Sequence, residues 1–258
     1  MIATADDIIG MRAAGKAAAR LLNYLEQYIR PGTSTGQLDR AAAEWTSDAG
    51  AWSAPFGYSN GSKKPFPGHI CTSINEMVCH GIPSDAVILK EGDIVNIDVT
   101  PVLNGYHGDT SRTFPVGKCS ADSLRLIDVT EECLQIGVAL AVEGEFLGTI
   151  GHAIELHAIS RGYSIIREFT GHGIGRKFHT QPYVTHYGTP NTGIRLKAGM
   201  VFTIEPILCK GDPSIRFINE WEATLKSGGL TAQAEHTVLV GKDDAEILTY
   251  ESSTASDN

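Results

Sequence analysis

A chain of 258 residues has room for one large domain or two small ones, and with 42 % hydrophobic residues it can bury a substantial core. Its net charge of −9, its pI of about 5.4 and the lack of a basic patch argue against nucleic-acid binding, and no apolar run is long enough to span a bilayer. Five cysteines (Cys71, Cys79, Cys119, Cys133 and Cys209) form no CxxC pair, and with no signal sequence they point to reduced thiols in a cytosolic protein.

Residues 6–29 read as a helix: Asp6 and Asp7 suit its start, an alanine-rich run follows, and Pro31-Gly32 closes it, while Gly10 and Gly15 weaken the pattern. A second helix is predicted over residues 36–47, and the two should cover a sheet. Residues 53–69 read as a loop rich in glycine and proline. Loops of this length are often functional, and Phe56, Tyr58 and Phe66 either line a pocket or sit on a mobile surface. Residues 70–78 read as a strand ending at Cys79-His80-Gly81-Ile82-Pro83. A histidine at such a strand-to-turn junction can face a cleft, although a lone histidine more often has a structural role.

Around Asn96, Ile94, Val95 and Ile97 lead into Asp98 and Val99, the pattern of a largely buried strand. Asn104-Gly105 is a hairpin-turn signal, so the chain should return on an antiparallel strand carrying Asp109. Two carboxylates on neighbouring strands in apolar surroundings need protons or cations to neutralise them. By itself the stretch fits equally well a turn-capping Asp98 and a surface Asp109.

Helices are predicted over residues 121–142 and 148–161, with His152 and His157 on a partly exposed face. In Thr170-Gly171-His172-Gly173-Ile174-Gly175 the glycines permit close backbone approach. GxGxxG is absent, so this is no nucleotide fingerprint, whereas a neutral imidazole between glycines can reach a metal. His179 follows the bulky Phe178. Next, Leu196-Lys-Ala-Gly-Met-Val-Phe-Thr-Ile-Glu205 repeats Leu89-Lys-Glu-Gly-Asp-Ile-Val-Asn-Ile-Asp98 position by position, each copy ending in a carboxylate. The repeat suggests a duplicated half-domain whose pseudo-twofold could bring Asp98 and Glu205 to a shared centre. Pro206 biases Glu205 to extended geometry. Residues 212–229 read as a polar hairpin containing Trp221, residues 231–240 as a strand carrying Glu235, and residues 251–258 as a Ser/Thr/Asp-rich tail expected to be disordered.

Asp98, Asp109, His172, Glu205 and Glu235 make an oxygen-rich set with one nitrogen, suited to one or two divalent ions of the Mn, Fe, Co or Zn group. Such ions acidify a bound water, and hydrolysis of an amide or ester is the reaction class that follows.

Six ordered motifs, namely Asn75-Glu-Met-Val-Cys-His80-Gly-Ile-Pro, Asn96-Ile-Asp98, Gly105-Tyr-His-Gly-Asp109-Thr, Thr170-Gly-His172-Gly-Ile-Gly, Phe202-Thr-Ile-Glu205-Pro and Ala232-Gln-Ala-Glu235-His-Thr, resemble those of the methionine aminopeptidases over nearly the whole chain. The resemblance implies an α+β, pita-bread fold: antiparallel sheets with internal pseudo-twofold symmetry and covering helices, in one metallopeptidase domain over residues 1–250. It implies removal of the N-terminal methionine from nascent polypeptides by a cytoplasmic monomer with transient ribosome association. Two divalent ions are implied, bridged by Asp109 and Glu235, with Asp98 completing one shell and His172 and Glu205 the other. Glu205 would shuttle the water's proton, His179 would stabilise the oxyanion, and His80 would bond the substrate near the scissile amide. Tyr58, Phe66, Cys71, Phe178 and Trp221 would form the methionine pocket, where a thioether packs against rings and sulfur.

The pocket loop over residues 59–66 departs from compact bacterial members in its length, Phe66 stands where a tyrosine is common, and Pro55 replaces a cysteine. The short segment between His179 and Glu205, and the lack of a cysteine-rich N-terminal extension, fit the first, bacterial-like type. A prolidase or aminopeptidase P would normally carry an additional N-terminal domain. A catalytically dead binding protein would not need the intact ligand set, and a structural zinc site would be thiolate-rich.

Overall fold

The computed structural model describes residues 2–251 except Asn60 and Ser62. Residues 252–258 of the predicted tail and those two positions of the pocket loop lie outside the described residues. The first helix, α1 (Ala5–Glu26), starts at Thr4, whose hydroxyl accepts from the Asp7 N–H while the Asp7 carboxylate accepts from the Thr4 N–H. It ends short of residue 29, because Tyr28 and Ile29 donate to Leu25 and Glu26, three residues back, and tighten the last turn. Ser34 and Gln37 cap α2 (Thr35–Asp48) in the same reciprocal way.

A short β1 (Trp52–Ser53) precedes the predicted loop. The strand expected over 70–78 is two strands, β2 (Cys71–Ile74) and β3 (Met77–Cys79), broken at Asn75, whose backbone is left-handed at φ 53°. The Asn75 side chain accepts from the Ile94 N–H and donates to Asp93, so it serves as the turn's anchor rather than as a ladder residue. Then come β4 (Ile94–Val99), β5 (Pro101–Leu103), β6 (Tyr106–His107) and β7 (Thr110–Pro115). The hairpin at Asn104-Gly105, with φ of 52° and 79°, joins β5 to β6 in a separate small sheet with β1. Asp109 therefore lies just before β7 and not on the returning strand as expected, and β7 pairs with β4 in the register Asp98↔Ser111.

The second half holds α3 (Ala121–Ala139) and α4 (Leu147–Ser160), each ending a little before its predicted limit, then β8 (Ser164–Ile165), β9 (Gly171–Gly173), β10 (Thr180–Val184), β11 (Val201–Ile204) and β12 (Ile207–Cys209). The predicted hairpin is β13 (Ile215–Phe217) with β14 (Ala223–Leu225), and β15 (Thr231–Val240) and β16 (Ala245–Ile247) close the chain. Among the described residues no helix is long and apolar enough to cross a membrane.

The main sheet runs β10-β9-β11-β15-β7-β4-β2. Its middle is the β15–β7 seam, and the two repeats lie symmetrically about it on β11 and β4. The equivalence extends to single bonds. Gly92 and Gly199 both sit at φ +89° and donate at 2.9 Å to Val116 and Val240; Leu89 and Leu196 donate to Thr33 and Glu145 at 2.8 and 2.7 Å. Only a residue without Cβ takes that φ cheaply, which is why glycine occupies this place in both copies. Alternation sends Val95, Ile97 and Val99 into a core with Leu21, Leu25 and Leu38 of α1 and α2, and turns Asn96 and Asp98 to the opposite face. In the second half Phe202, Ile204 and Val238 pack in a core with Leu134, Ile150 and Ile154 of α3 and α4.

Gly15 explains why a weak helix former sits inside α1. A Cβ there would lie 2.3 Å from the Leu248 carbonyl oxygen. Gly→Ala in a helix interior ordinarily stabilises by up to about 1 kcal/mol. Here Gly15→Ala is expected to destabilise by about 1–3 kcal/mol through overpacking, read as a lower urea midpoint, and a raised midpoint would refute the close packing.

Candidate metal centre and substrate cavity

The strand faces turned away from the helices line a cavity of about 330 Å³. All twelve predicted site residues border it: Asp98, Asp109, His172, Glu205 and Glu235, the histidines His80 and His179, and the pocket residues Tyr58, Phe66, Cys71, Phe178 and Trp221. Asp109, His172 and Glu235 form the tight group, with one ligand atom of each within 4.8 Å of the others. Glu205 lies beside it, its Oε1 3.7 Å from His172 Nε2, and Asp98 faces the cavity from β4, opposite Cys71 of β2.

Three of the candidate ligands, Asp109, His172 and Glu205, are held by side chains outside the predicted set. Thr100 donates to Asp109 Oδ1 at 2.7 Å, leaving Oδ2 3.5 Å from His172 Nε2. The Thr203 hydroxyl accepts from the His172 N–H at 2.9 Å and donates to Glu205 Oε1 at 2.7 Å, tying two candidate ligands together. Gln233 donates to the other Glu205 oxygen, and the Glu205 N–H donates to buried His186. For Thr203 and Gln233 a signal was present: each stands two residues before a ligand, on the same strand face. Thr100 carried the same spacing, two residues after Asp98, and nothing local marked His186.

Burial, then repulsion from Asp109 and Glu205, pushes the Asp98 pKa well above its ordinary value. Burial and the other three carboxylates do the same to Glu235. Burial raises Glu205 to about 7, with Asp109 adding and His172 opposing. His172 reaches about 9: burial works against its charged form, and Asp109 and Glu205 overcome it. These are the signs of carboxylates crowded without their counter-charge, and a hard O/N donor set of this kind fits divalent ions.

A pH dependence follows. His172 holds a proton in the folded state that the unfolded chain gives up from about 6.5 onward, so metal-stripped protein should lose stability as pH rises from about 6.5 to about 9. Glu205, raised from 4.5 to about 7, acts in the same direction over the lower part of the range. Below about 6.5 the trend is opposed by His179, His186 and His236, whose burial lowers them to about 4, 3 and 4. Thermal melting of stripped protein across this range checks it; a midpoint that rises between pH 6.5 and 9 contradicts the account.

The apolar end of the cavity is a ring cluster. Phe66 and Trp221 meet edge to face at 5.6 Å, and Tyr58 lies 6.3 Å from Trp221 and 5.3 Å from Phe178. Cys71 packs with Phe66 and Trp221. Burial raises its thiol and that of Cys79 well above the ordinary range, so both are neutral packing groups. His80 sits left-handed at φ 56°, edge-on to Phe169. His179 opens onto the cavity with its ring stacked on Phe178 at 4.0 Å, and burial among the walls, then His172, lowers its pKa to about 4.

Three comparisons bear on this geometry. The model of metallopeptidase family M24 matches residues 9–242. Methionine aminopeptidase B of Synechocystis is 48 % identical over 250 residues, 96 % of this chain and 91 % of that protein, and methionine aminopeptidase of Escherichia coli is 46 % identical over 96 % and 93 %. The crystal structure of methionine aminopeptidase from Rickettsia prowazekii superposes with a TM-score of 0.93 at 44 % identity, covering 97 % of this chain and 99 % of that one.

Proposed function

Because the chain belongs to the methionine aminopeptidases of metallopeptidase family M24, with their pita-bread fold, we propose that it removes the N-terminal methionine from nascent proteins and peptides by hydrolysis with a metal-activated water. The observation that carries this reading is the union, in one cavity, of the carboxylate-histidine group with an apolar end built of aromatic rings and a thiol. Residues 1–250 act as a single metallopeptidase domain.

Asp98, Asp109, His172, Glu205 and Glu235 would hold two divalent ions of the Mn, Fe, Co or Zn group, with Asp109 and Glu235 shared between them. Such ions, when bound, supply a water acid enough to attack near neutral pH. Glu205 takes the proton of the attacking water and returns it to the leaving amine. Neutral His179 donates to the scissile carbonyl as negative charge develops on its oxygen, and His80 bonds the substrate beside the scissile amide. Tyr58, Phe66, Cys71, Phe178 and Trp221 enclose the methionine side chain, whose soft sulfur suits aromatic edges and thiols. The substrate is the emerging end of a new chain, met by a cytoplasmic monomer that docks transiently at the ribosome.

Release of free methionine from Met-Ala-Ser by chelator-stripped protein, titrated with Mn, Fe, Co and Zn, tests the reading. Turnover that returns only with metal is expected, and the titration counts the ions needed. If no ion restores release, the reading fails, and an Xaa-Pro peptide then tests the prolidase alternative.

A further inference from the structure

An imidazole that donates to a carbonyl through Nε2 must carry its proton there, which leaves Nδ1 bare and accepting. Which tautomer a neutral histidine adopts is set by the partner of its other nitrogen. The partner of His179 Nδ1 is the Tyr58 hydroxyl, 2.8 Å away. Two arrangements satisfy that distance. If the phenol donates, the proton of His179 sits on Nε2, facing the cavity. If Nδ1–H donates to the phenol oxygen, Nε2 is bare and can stabilise no oxyanion.

The surroundings favour the first. Among the described residues His179 is the hydrogen-bond partner of the Tyr58 hydroxyl, so the phenolic proton finds a protein acceptor only at Nδ1. The imidazole is also fixed in place: Phe178 stacks on it at 4.0 Å and the His172 ring lies 4.3 Å away, which hinders the ring flip that would exchange Nδ1 with carbon. Tyr58 is fixed as well. The Gly57 N–H donates to Phe66 O and the Phe66 N–H to Tyr58 O, both at 2.9 Å, a backbone clasp that closes the base of the long pocket loop. The Tyr58 ring thus forms part of the apolar wall while its hydroxyl reaches the histidine.

We propose that Tyr58 is a positioning residue for methionine release: its hydroxyl donates to His179 Nδ1 and holds the Nε2-protonated tautomer, so that the donor is set before the substrate arrives. The proposal rests on the aminopeptidase reading above and deepens it by naming the group that orients its oxyanion donor.

Tyr58→Phe keeps the ring and removes the hydroxyl. With Met-Ala-Ser and saturating metal, kcat should fall about 10- to 100-fold, the range for removing a partner that orients an active group, while KM stays within about twofold. In a His179→Asn background the same change should add less than about twofold, since Tyr58 acts through His179. Long-range proton–nitrogen NMR on zinc-loaded, histidine-labelled protein reads the tautomer without turnover. Wild type should show His179 protonated at Nε2, and the Phe variant a mixture. A wild-type proton on Nδ1, an unchanged kcat in Tyr58→Phe, or a full additional loss in the His179→Asn background would each overturn the proposal. If wild type released no methionine, the aminopeptidase reading would fail on that result alone, and the NMR outcome would still decide the hydrogen bond.

Discussion

Asp109→Ala is expected to reduce methionine release more than about a hundredfold, because removing even an outer partner of a metal ligand costs about 10- to 100-fold and Asp109 is proposed as a ligand shared by both ions. The carboxylate is buried, with Oδ1 accepting from Thr100 and Oδ2 turned to His172. Metal content should fall with activity. Asp109 repels Asp98 and Glu235 but also pairs with His172, so a circular dichroism spectrum like that of wild type, rather than a melting temperature, separates a lost ligand from a damaged fold. Turnover near wild type with metal still bound would end the assignment of Asp109 as a ligand.

His179→Ala should leave metal content unchanged and lower kcat by about 100- to 1,000-fold, the cost of deleting one oxyanion donor. The ring touches His172 but stands outside the tight ligand group, and its stacking on Phe178 sets its plane without coordinating anything. The effect should therefore fall on kcat with KM nearly constant. A loss confined to KM would make His179 a binding residue, and a kcat within tenfold of wild type would remove it from the reaction.

Much of this was legible in the chain before any coordinates. The ten-residue repeat located two equivalent strands because the same local pattern, Leu-Lys, a left-handed glycine, then alternating apolar residues, demands the same path twice. Thr231–Val240 was readable to the residue because its strand is long and bounded by turn residues. Short-range signals failed where tertiary contacts decide. The break at Asn75 depends on its side chain reaching Asp93 and Ile94, nineteen positions on in the longer case. The placement of Asp109 ahead of its strand depends on β5 and β6 leaving for another sheet. Among the supports of the site, His186 is an ordinary polar residue locally and becomes special only when the chain nineteen residues on brings the Glu205 N–H to its ring.

The seam between β7 and β15 has a kinetic meaning. It is sewn by Thr113 to Gln233 and by Thr237 to Asp109, positions 120 and 128 apart in the chain. Contacts across such separations must first meet the entropy of closing a long loop, so they are expected to form late. Asp98 and Asp109 lie on one side of this seam and His172, Glu205 and Glu235 on the other, so an ion held by all five would meet its full set only once the halves had docked. Such an ion would act as a clasp on the finished molecule, and its removal should speed unfolding more than it slows folding.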